Sequence, residues 1–121
     1  MKDHVAWVIE LALKDGQLDT FRELMNEMVE GTSAEPRTLA YEWYISEDGG
    51  TVHIFEKYAD SDAMILHVNG FIANWSGRYM ECVDITRFVV YGDPSPDARA
   101  ILDGWGAKYL GTWGGFSRFS A

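Results

Sequence analysis

The stretch "TLAYEWYISEDGGTVHIFEKYADSDAMILHV", residues 38–68, decides the fold. Two runs rich in aromatic and β-branched residues flank Asp48-Gly49-Gly50. Glycine supplies the positive φ that a tight turn needs, so the segment reads as a β-hairpin. With a two-residue loop, Tyr41, Trp43 and Ile45 share a face with Val52, Ile54, Glu56 and Tyr58. A three-residue loop would exchange the faces, because side chains alternate along a strand. The helical period then takes over: Asp60 or Ser61 offers an N-cap, Met64, Ile65 and Val68 form a stripe, and Asn69-Gly70 offers an end. His67 lies at the edge of that stripe.

Upstream, "HVAWVIELAL" (4–13) is a strand with Trp7, Ile9, Leu11 and Leu13 on one face and Ala6, Val8, Glu10 and Ala12 on the other. A strand this apolar on both sides needs cover on both. "KDGQLDTFRELMNEMVEGT" (14–32) carries Leu18, Phe21, Leu24, Met25, Met28 and Val29 at helical spacing. Asp15 or Gly16 is expected to open that helix and Gly31 to close it. Downstream, "FIANWSGRYMEC" places Phe71, Trp75 and Tyr79 four apart with Arg78 on the flank, and "VDITRFVVYG" (83–92) is a fourth strand.

The order is β-α-β-β-α-β, the ferredoxin-like plan of an α+β domain: a four-stranded antiparallel sheet with helices on one face. The other face is too apolar for water, which predicts a homodimer packed sheet to sheet, a dimeric α+β barrel. Residues 1–92 make this domain; 93–121 add a helix, from Ser95 or Asp97 to about Leu102, and a tail packed on the same domain. The tail offers an edge strand or a swapped arm, although glycines at 104, 106, 111, 114 and 115 weaken a strand there.

Composition narrows the partners. The net charge of −9 argues against nucleic acid and against an anionic membrane surface. The single cysteine, Cys82, forms no internal disulfide. The N-terminal run is interrupted by Asp3 and Glu10, unlike a signal peptide, and no window reaches a membrane-spanning length, so a cytoplasmic location is expected. His4, His53 and His67 lack metal-ligand spacing, and neither a phosphate loop nor a G-x-S-x-G elbow is present.

The hairpin and the helix after it resemble the antibiotic biosynthesis monooxygenase domain. The resemblance is carried by Tyr41, Trp43 and Tyr44, by Gly49 and Gly50, by Glu56 and Tyr58, and by Ala63 and His67. It spans roughly residues 5 to 92. It implies a cofactor-independent monooxygenase acting on an aromatic or quinol-like small molecule. The haem-degrading branch uses an Asn in the first strand; "HVAWVIELAL" has none, so no haem is expected. Other members imply a non-catalytic ligand-binding or stress protein, or a polyketide cyclase or isomerase working by acid–base chemistry.

A cofactor-free oxygenase needs a base for the phenol proton and a flat apolar pocket. Imidazole titrates near neutrality, which makes His67 the candidate base, with Glu56 orienting it or acting alone. Equally, the two form a satisfied polar bridge between helix and strand. Tyr41, Trp43, Trp75 and Tyr79 are candidates to line the pocket or to fill the core. Arg78 either holds an oxyanion or pairs with one of the many acids. His53, on the other face of the hairpin, belongs at the dimer interface or the barrel rim.

Overall fold

The computed structural model describes residues 3–118. It contains β1 (Val5–Leu13), α1 (Leu18–Ser33), β2 (Thr38–Ile45), β3 (Thr51–Tyr58), α2 (Ser61–Asn74), α3 (Ser76–Cys82), β4 (Val83–Gly92), α4 (Pro96–Leu102), a 3₁₀ turn (Asp103–Trp105) and β5 (Lys108–Leu110). The strands form a five-stranded sheet in the order β2-β3-β1-β4-β5.

The expected four-stranded antiparallel sheet is corrected here. β1 runs antiparallel to β3 and to β4, and β2 is antiparallel to β3, but β5 pairs parallel to β4, with Val89 opposite Lys108 and Tyr91 opposite Leu110. A helical crossover, here α4, returns the chain parallel to the strand it left. The added strand covers the edge that β4 would otherwise present unpaired. The α+β, ferredoxin-like character is unchanged.

The hairpin has the faces expected for a two-residue loop. Tyr41 is opposite Glu56 and Trp43 opposite Ile54, and the ladder closes with the Ser46 amide donating to the Thr51 carbonyl at 2.9 Å. Residues 47–50 form the turn, with Gly49 at φ +75°.

Three helix ends differ from expectation, and the two C-terminal ones share a reason. α1 starts after Gln17 rather than at Asp15 or Gly16, and it runs through Gly31 to Ser33. α2 is capped by the Asp60 carboxylate, which accepts from the Ala63 amide at 2.9 Å, but runs past Gly70 to Asn74. Tertiary packing decides the C-terminal ends of α1 and α2. Trp75 leaves helical geometry at φ −131° and ends α2, and its ring lies where a Cβ on Gly31 would sit, 2.8 Å away. Gly31 is therefore the floor for an indole rather than a cap. Phe71 and Tyr79, on either side of this break, stack edge to face at 5.0 Å.

The core lies between the helices and one sheet face. Trp7, Ile9, Leu11, Val52, Ile54, Phe88 and Val90 meet Phe21, Leu24, Met28, Met64 and Val68, with Ala98 and Leu102 of α4 in the same cluster. On the opposite face Ala6, Val8, Glu10, His53, Phe55 and Lys57 are only half-buried, and Tyr44 and Tyr91 are exposed. Among the described residues no helix is long and apolar enough to cross a membrane.

Candidate active site

Pairing across the sheet sets Glu56 in the middle of a row. Tyr41 of β2 is its neighbour on one side and Trp7 of β1 on the other. Strand alternation turns all three toward the helices. α2 crosses above this row and lowers His67 onto it, within its buried set Ala63, Met64, His67 and Val68.

The result is a buried polar chain in an otherwise apolar core. The Tyr58 hydroxyl and the Trp7 indole N–H donate to the Glu56 carboxyl. The Nε2 of His67 lies 3.5 Å from Glu56 Oε1, too long for a good hydrogen bond but close enough for strong charge coupling. On its other side, His67 Nδ1 is 2.9 Å from Glu35 Oε1. That oxygen also accepts from the Thr38 hydroxyl at 2.8 Å. A carboxylate that accepts from Nδ1–H leaves the Nε2 lone pair free on the cavity side. The His67 and Glu56 side chains are only 4% and 9% exposed.

Burial pushes the Glu56 carboxyl above its ordinary range, against the opposing pull of His67, Tyr58 and Trp7. The hydroxyls of Tyr41, Tyr58 and Tyr79 are pushed well up, first by burial and then by the charge of Glu56. The tyrosines therefore remain neutral donors, and Glu56 tends toward a neutral carboxylic acid. A carboxyl pushed up by burial and an imidazole held by Glu35 face the same space.

That space is a cavity of about 70 Å³ between sheet and helices, lined by Trp7, Tyr41, Phe71, Tyr79 and Phe88 beside Glu56 and His67. At roughly 10–15 Å³ per water it holds several waters or the edge of one ring. Ser76 and Met80 of α3 and Trp105 of the 3₁₀ turn also border it, with aliphatic side chains such as Ile54 and Val68 between.

Of the residues singled out in the sequence, the structure brings Tyr41, Glu56, His67 and Tyr79 to this cavity and leaves three elsewhere. Trp43 shares the face of Tyr41 but sits nearer the hairpin turn. It packs on Phe21 at 5.6 Å and lines a separate cleft of about 200 Å³ with Leu18, Met25 and Ile45. Trp75 is held over Gly31. Arg78 is exposed and grips Glu27 through two contacts of 2.6 and 3.4 Å, so it holds no oxyanion in this arrangement. Sequence reasoning missed Trp7, Tyr58 and Glu35 as members of the site. Tyr58 was within reach, since it stands two residues from Glu56 and shares its face; Glu35 carried no local signal. Among the described residues no three His, Cys, Asp or Glu side chains converge as a metal-ligand set.

A sequence model of the antibiotic biosynthesis monooxygenase family matches residues 5–70. The chain belongs to that family. No protein with a curated description matches it. Among solved structures, MupZ from Pseudomonas fluorescens superposes with a TM-score of 0.85 at 22% identity, over 98% of this chain and 97% of its own. Rv0793 from Mycobacterium tuberculosis gives 0.64 at 25% identity, over 76% of this chain and 96% of its own. SnoaB from Streptomyces nogalater, a cofactor-independent oxygenase, gives 0.64 at 12% identity, over 77% and 95%. The ferredoxin-like fold is shared with all three, and the match to MupZ extends over nearly the whole chain.

Proposed function

We propose that the chain is a cofactor-independent monooxygenase acting on a small aromatic or quinol-like molecule. The observation that supports it is the buried His67 imidazole, oriented by Glu35 at Nδ1 with Nε2 turned to an aromatic-lined cavity. In this reading Nε2 removes the substrate hydroxyl proton, and the phenolate so formed is electron-rich enough to react with dioxygen. One oxygen atom is kept as a carbonyl on a ring carbon; the other leaves as water, its two hydrogens being the hydroxyl proton taken by His67 and the one hydrogen that ring carbon carried. Glu56, whose carboxyl burial pushes toward the protonated form, offers a donor to the reduced oxygen as it forms, and Tyr58 holds that carboxyl from behind. Tyr41 and Tyr79 bound the ring. The cavity's size favours a single ring entering edge-on over a fused polycycle.

Oxygen uptake by the pure protein across a panel of single-ring and fused quinols tests this reading. Uptake with at least one member, abolished in His67→Ala, is expected. An empty panel, or uptake indifferent to His67, refutes it.

The upward push that burial gives the Glu56 carboxyl favours a second reading. An acid and a base facing one cavity also suit a cyclase or isomerase that moves protons without oxygen. Turnover undiminished under anaerobic conditions distinguishes it from the first.

Two copies are proposed to pack sheet to sheet through the face bearing Ala6, Val8, Tyr44, Phe55 and Tyr91, whose half-buried apolar groups favour cover by an identical surface. A monomer in sedimentation at micromolar concentration contradicts this. The charge of −9 favours a small apolar molecule over nucleic acid or a membrane as the other partner.

A further inference from the structure

We propose that Glu35 is a rear proton port: it connects the buried His67 imidazole to solvent by a route separate from the cavity. The proposal rests on the reading of His67 as the base.

A ligand that fills a cavity this small seals the front of the site against water. Yet the imidazole has a second neighbour. Glu35 Oε1 stands 2.9 Å from Nδ1, and the Glu35 side chain is 18% exposed where that of His67 is 4%. Glu35 lies in the loop between α1 and β2, at the wall of a surface cleft formed with Pro36, Arg37, Thr38, Asp62 and Leu66. None of these residues lines the cavity. The carboxylate thus touches the buried ring with one oxygen and borders water outside the cavity.

The step moves one proton and no electrons. Nδ1–H of an imidazolium passes to Glu35, and Glu35 passes a proton to surface water; the reverse recharges the ring. The imidazolium arises when Nε2 takes a proton from a bound hydroxyl or from the Glu56 carboxyl. The groups facing this relay are Glu56 and Tyr58 from β3, Tyr41 from β2 and Tyr79 from α3. Asp62 of α2 and Arg37, itself paired with Asp60, stand along the outer cleft. Thr38 fixes the shared oxygen of Glu35 from the loop side.

The test needs no substrate. Protein labelled with ¹⁵N-histidine is examined by NMR at neutral pH, the His67 ring signals being assigned by their loss in His67→Gln. The unmutated protein is expected to show the Nδ1–H tautomer. Glu35→Gln keeps a carbonyl for Nδ1–H but cannot carry a proton, so exchange of that hydrogen with solvent should slow by on the order of 10²-fold. Thr38→Val loosens the same loop and keeps the carboxylate, so its exchange should match the unmutated protein. An Nε2–H tautomer in the unmutated protein overturns the proposal without any variant. Unchanged exchange in Glu35→Gln, or equal slowing in Thr38→Val, overturns it as well. Oxygen uptake is no part of this readout, so failure of the port and failure of the oxygenase reading are separate results.

Discussion

Two histidine–carboxylate pairs lie on opposite faces of the sheet where β1 and β3 adjoin, the second completed by α2. His53 of β3 stands across from Glu10 of β1 at 3.7 Å, with side chains 45% and 30% exposed. His67 meets Glu56 at 3.5 Å, with both side chains nearly sealed. The distances are alike and the surroundings are not. In water the first attraction is screened to a fraction of a kcal/mol. In the core the second pair has lost its water, so its polar atoms are answered by Glu35, Tyr58 and Trp7. Proximity does not distinguish the two pairs; removal from solvent, with protein partners in place of water, does.

The largest expected effect breaks this contrast at its functional end. If His67 is the base, His67→Ala should lower turnover of an accepted quinol by about 10²–10⁴-fold, measured as oxygen uptake. The corresponding His53→Ala should leave turnover unchanged. Equal losses from both would dissolve the distinction drawn between the two faces.

Next in size is a packing change behind the buried pair. Gly31→Ala places a methyl group 2.8 Å from the Trp75 ring. The indole must move, and with it the joint between α2 and α3 that carries His67 on one side and Tyr79 on the other. Overpacking of this kind costs about 1–3 kcal/mol, readable by urea denaturation. A neutral result would mean that the joint yields freely and is no fixed roof for the cavity.

A third effect isolates the acid. Glu56 has its folded-state pKa raised by burial, so folding favours its protonated form. Its contribution to stability is fully present below the unfolded value of 4.5 and is lost as pH rises through the raised folded value. Glu56→Gln is neutral at every pH, so the stability of the variant relative to the parent should grow with pH above 4.5, by at most about 1.4 kcal/mol per pH unit, and then level off. Thermal midpoints of both proteins from pH 4 to pH 8 check the sign. A gap that narrows with pH would mean that Glu56 is held as a carboxylate.

How much of this was legible beforehand follows from how local each cause is. Asp48-Gly49-Gly50 and the alternation around it contain their own explanation, so the hairpin, its faces and the shared side of Tyr41, Glu56 and Tyr58 were readable. Asp60 and Ser95 cap the next residues along the chain, and each was readable as one of two neighbouring candidates, Asp60 or Ser61 and Ser95 or Asp97. β5 was readable only as one of two options for the tail, an edge strand or a swapped arm, because three residues among glycines make a strand only where β4 offers them an edge. Gly31 looked like a helix end because its actual partner, Trp75, is 44 positions away in sequence and unknowable from spacing. Glu35 is separated from His67 by 32 positions and sits in a loop whose residues suggest only a turn. Trp43 shows the opposite failure: its face was right, but two residues along a strand carried it past the cavity into another cleft.

The smallest effect bears on the open face. His53→Ala removes one member of a pair that is largely solvated in a single protomer, and such a pair is worth about 0–1 kcal/mol. In dilute solution, where one copy stands alone, the loss in stability should stay within about 0.5 kcal/mol. The same substitution at high protein concentration is more informative. If a second copy covers Phe55 and Val8, it also covers His53 and Glu10, and removing the imidazole then leaves the Glu10 carboxylate facing a dry surface. An unpaired buried charge costs several kcal/mol rather than a few tenths. Denaturation midpoints of parent and variant measured across a hundredfold range of concentration should therefore separate as concentration rises. A difference that stays small and constant would mean that this pair remains in water, so that any contact between copies lies away from the sheet.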